Sequence, residues 1–535
     1  MIGKRGPVTS RGSSDPQEYA VSRTDLALDL LEHPATRTAS APVPAAAPVP
    51  TAAPVPAAAS GGVPAAEPRG AFGGALPATT ADGLLVPTSA GSRDYANLDH
   101  AASTPALTSV AAAVEATLRS YASVHRGNGF ASRVTSAWYE QAREQVARFV
   151  GARSEQDVVI FTRTTTDSWN LLARALPADT TVVVFASEHH STLLPWTRRA
   201  GGTTVTLPVP RSIEGGLALL HEALAAVTTE HALVVVTGAS NVTGEVWPIT
   251  RITRIAHHYG ARVALDAAQL APHRRVDIAA TGVDYVALSG HKLYAPYGAG
   301  VLAGRVDWLD AAEPYLVGGG ATARVTGEQV VWATGPARHE GGSPNVVGAV
   351  ALAAACAALT EHHDDLVRYE HLLAERLRRG LEALPGVRVH SLFGPGSDRV
   401  GVVAFTVDGV ESGLVSTALS VEHGIGVRDG KFCAHPLVDA LLADQASAGS
   451  PAPAPGAGLQ PTVGACSDDG LLGTGTPATA VRASVGLATR PEHVERLVAA
   501  VAELAAYGPG LAYTRGPNGW EPAADPREVS LPRPW

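Results

Sequence analysis

Val286-Ala287-Leu288-Ser289-Gly290-His291-Lys292, continuing as Leu293-Tyr294-Ala295-Pro296-Tyr297-Gly298, reads as an apolar strand that ends in small and polar residues with one lysine at its mouth. Lysine is scarce in this chain: Lys4, Lys292 and Lys431 are the only three, and arginine supplies every other fixed cation. A surface built so consistently from arginine has little structural need of a lone lysine beyond a buried strand. Chemistry supplies a reason, because a lysine amine forms a Schiff base and a guanidinium does not.

The same pattern recurs upstream of this stretch. Val158 to Phe161 runs into Thr162-Arg163-Thr164-Thr165-Thr166-Asp167, and Thr181 to Phe185 into Ala186-Ser187-Glu188-His189-His190. Leu233 to Val236 leads to Ser240-Asn241-Val242-Thr243-Gly244, and Arg262 to Leu265 ends at Asp266-Ala267-Ala268-Gln269. Apolar strands alternating with helices predict a mainly parallel sheet covered on both faces, the architecture of an α/β fold. Ligands of such sheets bind beyond the carboxyl ends of the strands, where every unusual polar group of the repeat lies.

Outside the repeat, residues 1–90 are Pro- and Ala-rich, with Pro-Val-Pro at 42–44, 48–50 and 54–56, and read as a mostly disordered tail. Residues 91–360 form the large domain, opening with helical periodicity over Leu107–Tyr121 and Ser136–Val150 and closing with a small-residue helix to about Thr360. Residues 361–508 form a smaller α+β domain. It has a charged helix from Asp365 to Leu384, strands near Val400–Phe405 and Ala480–Leu487, and a flexible Ala/Pro/Gly/Ser-rich insertion at 444–476. Thr489-Arg490-Pro491-Glu492 has capping-box spacing and opens the last helix; residues 509–535 read as a turn-rich tail.

Bulk composition excludes several classes. A chain of 535 residues with 45% apolar and 17% charged residues has material for a large core. A net charge of -9 without a basic run argues against a nucleic-acid partner. The one long uncharged stretch, 41–59, carries six prolines and cannot span a membrane as a helix. Three cysteines, Cys356, Cys433 and Cys466, do not make a disulfide framework, and the polar N-terminus is unlike a signal peptide, so a cytoplasmic protein is expected. Paired histidines at 257–258 and 362–363 point apart on a helix, and no metal site is expected.

The strand-end residues suit pyridoxal phosphate, which needs an amine, a partner for its ring nitrogen, a phosphate cradle and a group stacked on its ring. Lys292 offers the amine and Asp266 a carboxylate for the pyridine nitrogen. Thr164-Thr165-Thr166 before a helix, with Ser289 and His291, offer phosphate donors. His189 can lie flat on the ring, and Asn241 and Gln269 can reach its phenolic oxygen.

These motifs resemble the class V aminotransferase family of fold-type-I pyridoxal-phosphate enzymes, and within it the cysteine desulfurase/selenocysteine lyase group. The likeness extends over about residues 93–507 through Val124-His125-Arg126-Gly127, Pro195-Trp196, Gly318-Gly319-Gly320, Glu340-Gly341-Gly342-Ser343-Pro344-Asn345, Arg428 through Cys433 and Arg482-Ala483-Ser484. It implies Lys292 as the Schiff-base lysine, Asp266 on the pyridine nitrogen and His189 stacked. Thr165, Thr166, Ser289 and His291 would hold phosphate, with Ser343 reaching across a homodimer interface. Arg482 would grip the carboxylate of a small amino-acid substrate and Cys433 would take its sulfur as a persulfide. The implied activity is a cysteine desulfurase (a sulfurtransferase), converting L-cysteine to L-alanine and passing sulfur to a protein acceptor. The alternatives are another class V enzyme, an aminotransferase or epimerase in which Cys433 is a bystander, and a non-catalytic scaffold. Two departures stand out: Thr164 replaces the usual glycine, and the insertion at 444–476 separates Cys433 from Arg482, which puts the placement of the thiol loop in question.

Overall fold

The structure, a computed structural model, describes residues 76–198, 201–447, 479–527 and 529. Its centre is a seven-stranded sheet of β1 (Asp157–Thr162), β2 (Thr180–Phe185), β3 (Thr203–Leu207), β4 (His231–Thr237), β5 (Arg262–Asp266), β6 (Tyr285–Ser289) and β7 (Gly300–Arg305). The spatial order is β1-β7-β6-β5-β4-β2-β3. The pairs from β6 across to β3 are parallel, whereas β7 runs antiparallel to both of its neighbours, β6 and β1. Six strands therefore share one direction and present their carboxyl ends along one edge, as the strand–helix repeat predicts.

The runs of Val, Leu and Ala in these strands are apolar on both faces because both faces are covered. Val183, Val234, Val263 and Val286 enter one core, and Val182, Leu233, Ala264 and Ala287 enter the opposite one, following the two-residue period of a strand. A one-residue slip would exchange the two sets and forfeit packing on both sides at once.

A second, all-antiparallel sheet follows in the order β8-β9-β11-β10, made of β8 (Val387–Val389), β9 (Val402–Val407), β10 (Arg428–Gly430) and β11 (Ala480–Ser484). The charged helix spans His363–Glu382 and packs its Leu366, Leu373, Leu377 and Leu381 inward. The small-residue helix spans Val346–Glu361, with Cys356 fully buried.

Several expectations at the ends are corrected. Of the expected tail 1–90, residues 1–75 lie outside the described residues, but 76–94 are built into the fold. Leu85–Thr88 pairs with Gly91–Asp94, Thr79 is buried, and Ser89 N–H donates to Val421 O (2.9 Å). The tail beyond 508 contains a hairpin, Tyr513–Gly516 with Gly519–Pro522. Glu422 anchors it by accepting from Gly510 N–H, Leu511 N–H and the Tyr513 hydroxyl. The helix His435–Ser447 extends four residues into the expected insertion, whose residues 448–476 lie outside the described ones. The last helix starts at Pro491, and in place of the expected capping box of Thr489 and Glu492, Arg490 N–H donates to His493 Nδ1 (3.4 Å) while Asp94 pairs with the side chains of Arg490 and His493. Thr489 caps a tighter turn, accepting from Gly486 N–H (3.0 Å).

What ties the two sheets together is Glu245, a carboxylate with no solvent exposure just after the β4 loop. It accepts from Ser391 Oγ (2.7 Å), Leu392 N (2.5 Å), Phe393 N (2.7 Å) and Arg399 Nη2 (3.0 Å), all in the segment between β8 and β9. Gly244 makes the close approach possible: its φ is +74°, and a Cβ there would lie 2.6 Å from Val402 O. Removing one partner from such a buried network leaves charge and donors uncompensated. Glu245→Ala should lower the unfolding free energy by about 3–5 kcal/mol, with Glu245→Gln losing less, measured by urea denaturation.

Candidate active site

The carboxyl ends of β1, β2, β4, β5 and β6 bring together Thr165, His189, Asn241, Asp266 and Lys292, with Arg482 and Cys433 arriving from the second sheet. Lys292 sits in a single 3-10 turn after β6 and is partly buried. Burial lowers its ammonium pKa to about 8, and Arg482 and Arg428 push the same way against Asp266 and Cys433. Desolvation outweighs the carboxylate, so a minor but usable fraction of the amine is neutral near physiological pH. The dependence on these four groups places all of them in electrostatic range of one amine.

Asp266 is buried, and its two oxygens are used separately: Oδ1 accepts from Ala268 N–H (2.8 Å) and Oδ2 from the Thr192 hydroxyl. Thr192 is a partner that sequence reading did not single out. His189 accepts Ser191 N–H at Nδ1 (3.1 Å), so its proton resides on Nε2. Burial, with Lys292, His190 and Arg482, lowers its pKa to about 3, which keeps the ring neutral. Glu188, adjacent in sequence, is fully buried, and burial, joined by the nearby Asp266, raises its carboxyl pKa well above the usual carboxylate range. Sequence reading quoted Glu188 within a motif and gave it no role.

Thr165 opens the helix α1 (Thr165–Ala175), capped by the Thr164 side chain, which accepts from Asp167 N–H (3.4 Å). Thr165 N–H donates to Ser289 Oγ (2.8 Å), and the two hydroxyls are 2.9 Å apart. Thr166 is exposed on the first turn. The backbone of β7 passes closely here: a Cβ on Gly300 would lie 2.7 Å from Thr164 Cα. His291 lines the same turn, its pKa lowered by burial and by Lys292, and its carbonyl accepts from Thr104 N–H (2.8 Å). Glu340 braces the base of this loop, accepting from Phe161 N–H (2.7 Å) and pairing bidentately with Arg143 (2.7 and 2.9 Å).

Arg482 is buried at 3% exposure. Its Nη1 donates to Asn241 O (3.0 Å) and its Nη2 to Asp99 Oδ1 (3.0 Å), while Nε has no partner among the described residues. Arg428 shares Asp99 through Oδ2 (3.4 Å). Asp99 lies in the Asn97-Leu98-Asp99-His100 stretch and received no role from sequence. Lys431 is drawn to Asp439 (3.0 Å), and Lys292 and Arg482 lie in electrostatic range of the Cys433 thiol.

The loop carrying Cys433 is held, not slack. Phe432 and Cys433 both adopt left-handed backbone, φ +52° and +53°, after Gly430 at +111°. Non-glycine residues in that region cost about 1–2 kcal/mol each, so the surroundings must enforce it. Asn241 Nδ2 donates to Phe432 O (2.9 Å) and His190 N–H to Cys433 O (2.7 Å), both from strand-end loops of the large sheet. Asn241 thus clamps the thiol loop. Ser343 lies exposed in its Gly-Gly-Ser-Pro-Asn loop, away from these groups in the described chain.

This donor set fits the expected cofactor. The first turn of α1 leaves N–H groups without intrahelical partners beside two hydroxyls, Asp266 keeps lone pairs for a ring N–H, and Lys292 is partly neutral. Several buried polar atoms without partners among the described residues lie on these strand-end loops and on β11: Ser187 Oγ, both Glu188 oxygens, Thr243 Oγ1, Gln269 Oε1 and Arg482 Nε. Such atoms are few in native structures, and their concentration here marks a place where a polar group belongs.

Comparison with known proteins agrees with this geometry. The Aminotransferase class-V profile matches residues 96–497. A probable cysteine desulfurase of Vibrio cholerae is 33% identical over 393 residues, 71% of this chain and 86% of the relative. A cysteine desulfurase of Haloferax volcanii is 35% identical over 324 residues, 59% of this chain and 75% of the relative. Among solved structures, the cysteine desulfurase CsdA of Escherichia coli superposes with a TM-score of 0.62 at 29% identity, covering 76% of this chain and 94% of that one. The apo cysteine desulfurase of Thermococcus onnurineus gives 0.64 at 29% identity, covering 77% and 94%.

The lowered Lys292 pKa has a measurable sign. Between about 8 and 10.5 the folded chain binds fewer protons than the unfolded one, so this residue makes stability rise with pH across that window. In the cofactor-free protein, Lys292→Met should therefore gain about 2 kcal/mol over wild type at pH 7, and the gain should vanish by pH 10.5. Denaturation curves at the two pH values check it; a constant difference would mean an ordinary lysine.

Proposed function

This chain belongs to the class-V aminotransferase family, and from that premise we propose that it is a pyridoxal-phosphate-dependent cysteine desulfurase, converting L-cysteine to L-alanine and leaving the sulfur on Cys433 as a persulfide. The observation that carries the reading is the docking of the Cys433 loop across the crevice, its Phe432 and Cys433 carbonyls tied to Asn241 and His190 and its thiol in range of Lys292 and Arg482. A transaminase or epimerase has no use for a thiol held there.

Pyridoxal phosphate, when bound, supplies an electron sink next to the substrate's α-carbon. Lys292 would carry it, Asp266 would hold its ring nitrogen protonated, and Thr165, Thr166, Ser289 and His291 would hold its phosphate. His189, neutral, would cover its ring, and Asn241 and Gln269 would flank its phenolic oxygen. Arg482 would orient the substrate by its carboxylate, exchanging its bond to Asp99 for one to the ligand. Lys292, with a pKa of about 8, can take and return a proton at the substrate carbon near neutral pH.

Cys433 would act as the thiolate, the nucleophilic form, which Arg482 and Lys292 favour electrostatically. Its sulfur attacks the substrate sulfur; a sulfur–sulfur bond forms and the carbon–sulfur bond breaks. The released electron pair and a proton at carbon complete alanine. One cysteine and one enzyme thiol thus give one alanine and one persulfide, with no external oxidant or reductant, and a protein acceptor thiol would then remove the sulfur.

We also propose a homodimer. Leu316, Val317, Val325, Val330 and Val331 are 46–76% exposed within residues 316–331, a run of exposed apolar side chains of the kind that serves as a protein–protein contact. Gly342 N–H donates to Gly319 O (2.7 Å), joining this segment to the loop that carries Ser343. Light scattering on the cofactor-loaded protein should give twice the chain mass, and Val317→Asp with Val331→Asp should give monomer.

Cys433→Ser should keep the cofactor's visible absorption band while alanine release from cysteine falls ~100-fold or more. Lys292→Ala should lose the covalently held cofactor, and Arg482→Ala should raise KM for cysteine more than it lowers kcat. Alanine produced by the serine variant at the wild-type rate would sink the desulfurase reading.

A further inference from the structure

Behind Gln269 lies a buried polar chain that the proposed reaction does not use. Gln269, His273 and Glu370 are 3%, 6% and 4% exposed. Gln269 Nε2 lies 3.2 Å from His273 Nε2, and His273 Nδ1 lies 2.6 Å from Glu370 Oε2. Glu370 Oε1 accepts from Gly401 N–H (2.5 Å), just before β9. The chain thus starts at a strand-end loop of the large sheet and ends on the helix His363–Glu382 and the edge of the second sheet.

Hydrogen-bond direction follows from the chemistry of each group. The amide nitrogen of Gln269 only donates, so His273 Nε2 accepts from it, and the ring proton lies on Nδ1 and is donated to Glu370. His273 Nε2 is then a bare acceptor, and it takes an N–H of Gln269. Turning the amide over would set its oxygen against the bare Nε2, two acceptors facing each other. The imidazole therefore decides which end of the amide is committed and which is left over. The end left over is Gln269 Oε1, buried and without a partner among the described residues.

A buried histidine–carboxylate pair costs desolvation, and apolar residues of similar volume would pack as well or better. Steric fit alone does not account for it. We propose that His273 and Glu370 are positioning residues that lock the amide orientation of Gln269 and, through it, set the polarity presented to the cofactor. This rests on the reading of the crevice as a pyridoxal-phosphate site. Neither residue touches the substrate or the reacting atoms in this scheme. Their effect is read in the cofactor itself, before any cysteine is added.

The test loads the full-length protein with pyridoxal phosphate and records the visible absorption maximum and the cofactor dissociation constant. His273→Leu should shift the band and weaken cofactor binding about tenfold. His273→Gln retains one acceptor and one donor at similar reach, and should return both readouts to within about twofold of wild type. Glu370→Gln, which keeps the shape and removes the charge, should shift the band in the same direction as His273→Leu. Near-UV circular dichroism of each variant reports folding; if His273→Leu fails to fold, the Glu370→Gln band decides the matter alone. A folded His273→Leu protein with the wild-type band and affinity overturns the inference, as does a His273→Gln protein as impaired as the leucine variant. A wild-type protein that binds no cofactor would instead overturn the site reading beneath it.

Discussion

A single buried carboxylate keeps the two sheets in one frame. Glu245 has no contact with water and spends its oxygens on two backbone amides, one hydroxyl and one guanidinium of the second sheet's approach segment. Because it directly follows the Ser240–Gly244 loop, whatever holds Glu245 also holds Asn241. Asn241 in turn holds the Phe432 carbonyl by its side chain and Arg482 by its own carbonyl. The positions of the thiol and of Arg482 thus derive from a contact that touches neither.

Within that frame the crevice is tuned mainly by desolvation. For Lys292, burial overcomes the attraction of Asp266 and leaves an amine with a pKa of about 8. His189 is kept neutral and the Glu188 carboxyl is pushed upward by the same cause. Arg482 is buried with Asp99 as its counter-ion. An unpaired buried guanidinium would be expensive, and the Asp99 carboxylate supplies the compensating charge.

The sheet was legible because its evidence is local. Each strand is a short apolar run, each is followed by polar residues, and the direction rule for parallel sheets sends those residues to one edge. Lys292 and Asp266 were legible for the same reason, being the last polar residues after adjacent strands. Partnerships across long sequence separations were not. Asp99 lies 383 residues from Arg482, Thr192 lies 74 from Asp266, and Glu370 lies 97 from His273. No periodicity or spacing encodes those encounters; they exist only once the chain has closed. The terminal segments misled for a related reason. Residues 76–94 and 510–527 are turn-rich and weakly apolar, and they are ordered by docking on the second sheet and its helix, not by any core of their own.

The left-handed pair Phe432–Cys433 has a mechanical meaning. Sulfur carriers that swing between stations need slack in the chain on either side of the carrying atom. Here both carbonyls around the thiol are tied to the opposite wall, and Ala434 N–H closes back on Lys431 O (2.8 Å), so the segment has almost no travel. On the reading proposed above, sulfur taken up by Cys433 would be collected close to the rings of His190 and His435, which meet edge to face at 4.6 Å, and an acceptor would have to supply the reach.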